Sequence, residues 1–369
     1  MKKLVSLILT LTMCLSLLPC RAEEPLTVTG TVTEIERYGH ALLDITIEDF
    51  LAAGFDLGDI VTVTAGSFEG SMPFLNGYYV AHGETMLRAY PGHTNIAVCI
   101  NYGRFADAAG IDAGDEVTIT LTEKAGALTL QEINSLVYDD DPAQYDSDAA
   151  YANFREVTVG AILPGRLYRS ASPIDNSRGR AAVANTLMEA AAVRTVVNLA
   201  NTDEEILAFA EAEGFASEEY MAIYEEGGVI ALGMPINYTS DEFGAGIARG
   251  VAFMAVNDGP YLVHCQEGKD RAGFFTMLLE ALCGATEEEI VEDYLLSYRN
   301  YYRLDPVADA EKLDAIKQRD ILPMLRFIAG VEDGESLEDV DLAAAAEEYL
   351  LGLGLTEEEI AAVQDHLTE

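Results

Sequence analysis

The stretch from Pro260 to Leu282 constrains the fold more than any other. Tyr261 to Val263 is a short apolar run suited to a buried parallel strand, Arg271 to Leu282 continues as an apolar helix, and a polar loop joins them. A loop between a strand end and a helix start points its backbone N–H groups at one spot, where the helix dipole adds positive potential. The result is an anion cradle with Cys265 at its floor. Amides, dipole and Arg271 all favour the thiolate there, and a thiolate facing a bound phosphate is a nucleophile in place. Gly268 permits the tight turn, and Arg271 offers a planar two-pronged donor. A small residue that is merely buried would not call for Gly268 and Arg271 behind it.

The flanking sequence alternates. Ser177 to Ala192 is an Ala-rich helix, Arg194 to Leu199 a strand, and Thr202 to Ala212 a helix with Thr202 as N-cap and Glu205 three residues on. Val229 to Ile236 is a strand and Asp241 to Val256 a helix; four helical stretches follow the loop, the last opening on the Thr356 and Glu359 capping box. The alternation predicts an α/β domain, a mostly parallel sheet with flanking helices and a site at the carboxyl ends of its strands.

The first third is different. Residues 26 to 137 are β-rich, with alternating runs such as Leu26 to Val32 and Val117 to Leu121. Ala52 to Thr64 matches Ala108 to Thr120, each a short helix, a Gly stop, a Gly-Asp turn and a strand. Such duplication predicts a small β-barrel with approximate two-fold symmetry. His40, His82 and His93 lack ligand spacing, so no metal is indicated. The boundaries expected are a signal peptide over 1–22, the barrel over 23–137, an acidic, Pro-broken linker over 138–152, and the α/β domain over 153–369.

The signal reading rests on Lys2 and Lys3, the apolar run Leu4 to Leu18, and Ala22 as a cleavage end. It implies export, with membrane association only if Cys20 is lipidated. Cys99, Cys265 and Cys283 remain, too few for a disulfide framework. The formal charge is -41, from 63 acidic and 22 basic residues. That field repels nucleic acid at long range. A phosphorylated substrate must then be drawn locally, by Lys269 and Arg271 with Arg299 and Arg303 as further candidates.

The run His264-Cys265-Gln266-Glu267-Gly268-Lys269-Asp270-Arg271 resembles the His-Cys-x5-Arg loop of the cysteine-dependent phosphatases. Its Gly-Lys-Asp-Arg ending is similar to the atypical, bacterial-type tyrosine phosphatases that also accept phosphoinositides. Asn153-Phe154-Arg155 and Gly165 to Ala171 resemble that family's opening segment, and Gly284 to Tyr294 the helix after its loop; the likeness covers roughly residues 150 to 369. It implies a tyrosine-phosphatase-like fold and a phosphomonoesterase acting through phosphocysteine, on a phosphorylated protein, lipid or inositol, with no cofactor. Cys265 would be the nucleophile, Arg271 the transition-state donor and Asp270 the general acid, with Asp241 the alternative acid. His264, Gln266, Glu267, Gly268, Lys269 and Ala272 would line the substrate, with Lys269 favouring a second phosphate and His264 orienting the loop.

Three places depart from the family. Ala272 replaces a Ser or Thr whose hydroxyl helps the thiolate leave, Asn198-Leu199-Ala200 replaces Asp-Leu-Arg, and Glu267 puts a carboxylate beside an anion site, so it must point outward. An inositol-phosphate phosphatase and a non-catalytic phosphate-binding pseudophosphatase remain alternatives. Separately, Gly30 to Gly39 with Ile100 to Gly103 resembles the C-terminal β-barrel domain of the adenosyl-halide and adenosyl-hydroxide forming enzymes. The catalytic half of those enzymes has no counterpart here.

Overall fold

The computed structural model describes residues 25–332 and 334–369; the signal-peptide reading of 1–22 lies outside them. The chain forms two compact units that divide between Gln131 and Glu132. Segment 138–152, expected as a linker, belongs to the second.

The first unit is a closed seven-stranded barrel. Its strands are β1 (Thr27–Ile35), β2 (Ala41–Thr46), β3 (Ile60–Ala65), β4 (Phe68–Leu75), β5 (Thr85–Arg88), β6 (Asn95–Ile100) and β7 (Glu116–Glu123). They close in the order β1-β2-β6-β5-β4-β3-β7. Alternation sends Val61, Val63, Val117 and Ile119 inward, onto a core that includes the stacked rings of Phe50 and Phe55. The matching segments adopt matching structure. Asp56 N–H donates to Asp59 at 2.7 Å and Asp112 N–H to Asp115 at 2.8 Å, closing the same turn twice. β3 and β7 pair antiparallel with Val63 directly opposite Ile119, its equivalent in the repeat. A two-fold axis passing between those two residues requires that register.

The second unit is built on β8 (Arg155–Val157), β9 (Leu167–Ser170), β10 (Thr195–Asn198), β11 (Val229–Ala231) and β12 (Tyr261–His264), ordered β11-β10-β12-β9-β8. All neighbours are parallel except β8 with β9. Parallel strands covered on both faces need apolar residues on both, as Val196, Val197, Leu262 and Val263 supply. Val197 and Val263 face one core, with helices Asp241–Val256, Asp270–Leu282 and Glu357–Thr368; Val196 and Leu262 face another, with helix Ala181–Ala190. Asn198, His264 and Ser170 are level in register, so the loops leaving β10, β12 and β9 start side by side.

Several expected elements are shorter or divided. The strand expected over Val229–Ile236 stops at Ala231, because the chain turns back at Gly233 (φ +53) and Met234 N–H bonds Leu199 O. The Ser177–Ala192 helix is a 3-10 turn, Asn176–Arg178, ended by left-handed Gly179, and then the helix Ala181–Ala190. Helix Glu218–Glu225 lies outside the expected elements, and among the described residues six α-helices rather than four lie from the loop onward. The capping boxes at Thr202 and Thr356 form. Among the described residues, no helix is long and apolar enough to cross a membrane.

Candidate active site

β12 ends at His264, and the helix Asp270–Leu282 begins with no side-chain cap of its own. Between them, every backbone carbonyl from 266 to 269 is held by a neighbouring segment. Ser172 N–H donates to Gln266 O at 3.1 Å, and Asn153 Nδ2 to Glu267 O at 3.0 Å. Arg169 Nη2 donates to Gly268 O at 2.9 Å and to Lys269 O at 3.2 Å. In a trans peptide the N–H opposes its C=O. Bracing these carbonyls therefore turns the next N–H groups to the other side, and those of residues 266–271 donate to nothing among the described residues.

The brace is itself anchored. Arg155 makes two bonds to the Asp293 carboxylate, at 2.7 and 3.1 Å, and Arg169 a third at 2.6 Å. Burial would raise the Asp293 carboxyl, but the two guanidinium groups overcome it and hold Asp293 well below the usual range. Glu280 lies against it, buried in the helix after the loop. Burial first, and then the Asp293 charge, push Glu280 far above the ordinary carboxyl range, so it keeps its proton. Arg155 Nη1 also donates to Asn153 Oδ1 at 2.9 Å, which fixes the amide that holds Glu267 O. Asn153 takes a left-handed φ of +47°, a conformation Asn tolerates better than most. Asn153, Arg155 and Asp293 all lie in the segments that resemble the family, with no role legible there; Glu280 lies outside them, and an acid within the apolar run Phe274 to Leu282 was its one signal.

Cys265 directly follows β12 and is 3% exposed, within the apolar core that the helix Asp270–Leu282 shares. His264 is fully buried, and its Nδ1 lies 3.3 Å from Cys265 O. Burial lowers the imidazole to about 4, so it is neutral and donates from Nδ1, while Nε2 has no partner among the described residues. Arg271 donates from Nη1 to Met234 O at 2.9 Å, which aims the guanidinium with most of its five donors unspent. Ala272 is buried. Gln266 Nε2 donates to Asp175 Oδ2 at 3.3 Å.

Glu267 does not point outward. Its side chain is only 17% exposed, 3.4 Å from Arg178 and 3.4 Å from Tyr302 OH, so a cation and a hydroxyl offset the carboxylate within the loop. Lys269 is likewise turned in, bonded to Asp270 Oδ1 at 2.8 Å with Nζ 4.9 Å from the centre of the Tyr298 ring. Burial works to lower Lys269, yet the Asp270 carboxylate and the tyrosines keep it well above the usual lysine range. Arg299 and Arg303 line a separate cleft with Tyr145 and Pro306. Asn198 serves as a turn brace after β10, accepting from Ala200 and Asn201 N–H at 3.0 Å each.

Beside the loop opens a cleft of about 270 Å³, where Asp270 and Arg271 meet Tyr238, Phe274, Tyr294 and Asp320. Neither Asp241 nor Cys265 is among its lining residues. Asp241 is exposed at the first helical position, and the N-cap is Ser240, whose Oγ accepts from Phe243 N–H. Cys283 lies at the far end of the helix that starts at Asp270, roughly 20 Å of helix away from Cys265, so these thiols do not bridge. Among the described residues, no group of three or more His, Cys, Asp or Glu is placed to hold a metal ion.

The tyrosine phosphatase family matches residues 149–369, more than half of the 369. No curated protein matches the chain. A solved structure, of an uncharacterized conserved protein from Thermotoga maritima, is 23% identical over 26% of this chain, with a TM-score of 0.24. The chain spans 36% of that protein, a likeness too slight to bear on function. The match over 149–369 takes in both the carbonyl-braced loop and the Asp293 network behind it: the chain belongs to the tyrosine phosphatase family.

Proposed function

We propose that this phosphatase is a cysteine-dependent phosphomonoesterase in which Cys265 attacks phosphorus and carries a phosphocysteine intermediate. The observation that carries this reading is the bracing of four consecutive carbonyls, 266 to 269, which leaves a run of N–H groups unspent in the loop between Cys265 and a helix N-terminus. As the sulfur–phosphorus bond forms, the bond to the leaving oxygen breaks, and Asp270 supplies that oxygen's proton. The loop N–H groups and Arg271 take up charge on the equatorial oxygens. Water then attacks phosphorus, giving its proton to the Asp270 carboxylate, as the sulfur–phosphorus bond breaks, releasing phosphate and returning the thiolate to Cys265. Ala272 offers this departing thiolate no hydroxyl, so the second step is the slower.

The cleft at Asp270 and Arg271 has aromatic walls, Tyr238, Phe274 and Tyr294, which supports an aryl phosphate such as phosphotyrosine as substrate. Lys269 gives little support to a second phosphate, because its ammonium is turned in against Asp270, Tyr298 and Tyr302. The apolar N-terminal run behind Lys2 and Lys3 supports action outside the cytoplasm.

The test is steady-state hydrolysis of p-nitrophenyl phosphate by wild type and Cys265→Ser, with mass spectrometry of acid-quenched protein for a phosphate adduct on Cys265. Turnover that survives Cys265→Ser would overturn the mechanism. A panel of phosphotyrosine peptides, phosphoinositides and inositol phosphates would rank the substrates.

A further inference from the structure

We propose that the barrel unit carries a second site, independent of the catalytic loop, that binds a planar aromatic anion in a cleft lined by Arg37, Tyr38, His40, Tyr78, Tyr102 and Arg104. The cleft holds about 720 Å³, within the several-hundred-Å³ range usual for small-molecule sites.

Charge is the first argument. Residues 25–131 contain 14 Asp and Glu but only four basic side chains: Arg37, Arg88, Arg104 and Lys124. Lys124 is held by Asp56 and Asp59, and the other three gather at this cleft. Arg88 lies behind the wall, matched by two bonds to Glu36 at 2.9 and 3.0 Å. Arg104 is half spent on Asp107, while Arg37 has no ion pair among the described residues. In so acidic a unit, an unmatched cation at the mouth of a cleft makes it the place where an anion is attracted.

The rings are the second argument. Tyr38 is 65% exposed and Tyr102 85%, and Tyr102 is held there by a left-handed φ of +55°. Tyr78 lines the same cleft, and its hydroxyl fixes the chemistry of the wall. Arg88 can only donate, so Tyr78 O accepts from it at 3.0 Å and gives its own proton to His40 Nε2 at 3.1 Å. Burial, with the Arg88 charge, lowers His40 and keeps it neutral, which leaves the ring proton on Nδ1. That buried donor has no acceptor among the described residues. A ring lying on the tyrosines with its anionic group at Arg37 and Arg104 uses both features at once; a neutral ring or a bare anion uses one.

The chain contains no tryptophan, so Tyr102→Trp places its sole indole in the cleft. In a Cys265→Ser background, which protects the probe from hydrolysis, phenyl phosphate should change the indole emission saturably. Phenol and inorganic phosphate should each need concentrations at least about tenfold higher. Adding Arg37→Ala and Arg104→Ala, both exposed and remote from the barrel core, should bring phenyl phosphate down to the level of phenol. Tyr38→Trp gives a second reporter at the same cleft. The proposal is overturned if neither indole responds, if phenol binds as well as phenyl phosphate, or if removing both arginines changes nothing. None of these outcomes touches the reading of Cys265, which rests on the other unit.

Discussion

A Cβ on Gly268 would lie 2.2 Å from the carbonyl oxygen of Ser170. Both are backbone-fixed: Ser170 ends β9, and the Gly268 φ of +70° is one that L side chains rarely adopt. Gly268→Ala must therefore push the loop off the strand that braces it. A displacement near 1 Å at the reacting centre typically costs about 100-fold in rate, so kcat/KM for p-nitrophenyl phosphate should fall by at least that. The apolar core is untouched, and the melting temperature should drop only a few degrees. Near-wild-type turnover would show that the loop does not need this close approach.

Asp270 and Asp241 separate cleanly by place. Asp270 lines the cleft with Arg271 and is oriented by Lys269, whereas Asp241 is an exposed residue in the first turn behind the Ser240 cap. On the proposed mechanism, Asp270→Asn should lower kcat/KM, which reports the first step, by about 100-fold or more with phenyl phosphate, whose leaving group needs a proton. The loss should be much smaller with p-nitrophenyl phosphate. Asp241→Asn should stay within about twofold for both, apart from a small weakening of a helix N-terminus that favours acids. The reverse ranking would move the acid to Asp241.

His264 predicts an acid limb in stability. Its folded value is depressed to about 4 from 6.5 by burial, so above pH 6.5 the imidazole is neutral whether folded or not. As pH falls from 6.5 toward 4, the unfolded chain takes up a proton that the folded chain refuses, and stability drops by up to about 1.4 kcal/mol per pH unit. His264→Asn keeps a donor near Cys265 O but has nothing to titrate. Urea midpoints at pH 7, 6 and 5 should therefore show the wild type losing ground relative to His264→Asn. Parallel curves would mean that the folded protein admits a proton at His264.

The sequence announced the loop and the sheet that presents it, because both follow from local rules: an apolar strand, a glycine, an arginine, and capping boxes that formed at Thr202 and Thr356. Residues whose meaning is tertiary were not legible. Glu267 had to face outward only as long as Arg178, which arrives from a 3-10 turn far away in sequence, was unknown as its partner. Lys269 looked free to meet substrate until Tyr298 and Tyr302, from the helix Glu287–Tyr302, enclosed it. The strand expected to reach Ile236 was cut at Gly233 by a turn that returns the chain to Leu199, a contact that periodicity does not record.

Glu280 provides the last prediction, and its sign is opposite to that of His264. Burial, with the Asp293 charge beside it, raises the folded value of Glu280 well above 4.5. Below pH 4.5 both folded and unfolded chains hold the proton, and the full stabilisation is present. At higher pH the unfolded chain releases it while the folded chain keeps it, so stability declines by up to about 1.4 kcal/mol per pH unit until the folded value is passed. Glu280→Gln retains a neutral donor toward Asp293 and has no proton to lose. The variant should match the wild type near pH 4 and become progressively more stable than it toward pH 8, measured as the urea midpoint. Because Asp293 would still be paired with Arg155 and Arg169, and Arg169 would still hold Gly268 O and Lys269 O, turnover at pH 7 should stay within about threefold of wild type. Glu280→Ala, which leaves a cavity and an unpaired face of Asp293, should instead destabilise at every pH. A Gln variant that gains nothing on the alkaline side would show that Glu280 is ionised in the folded protein.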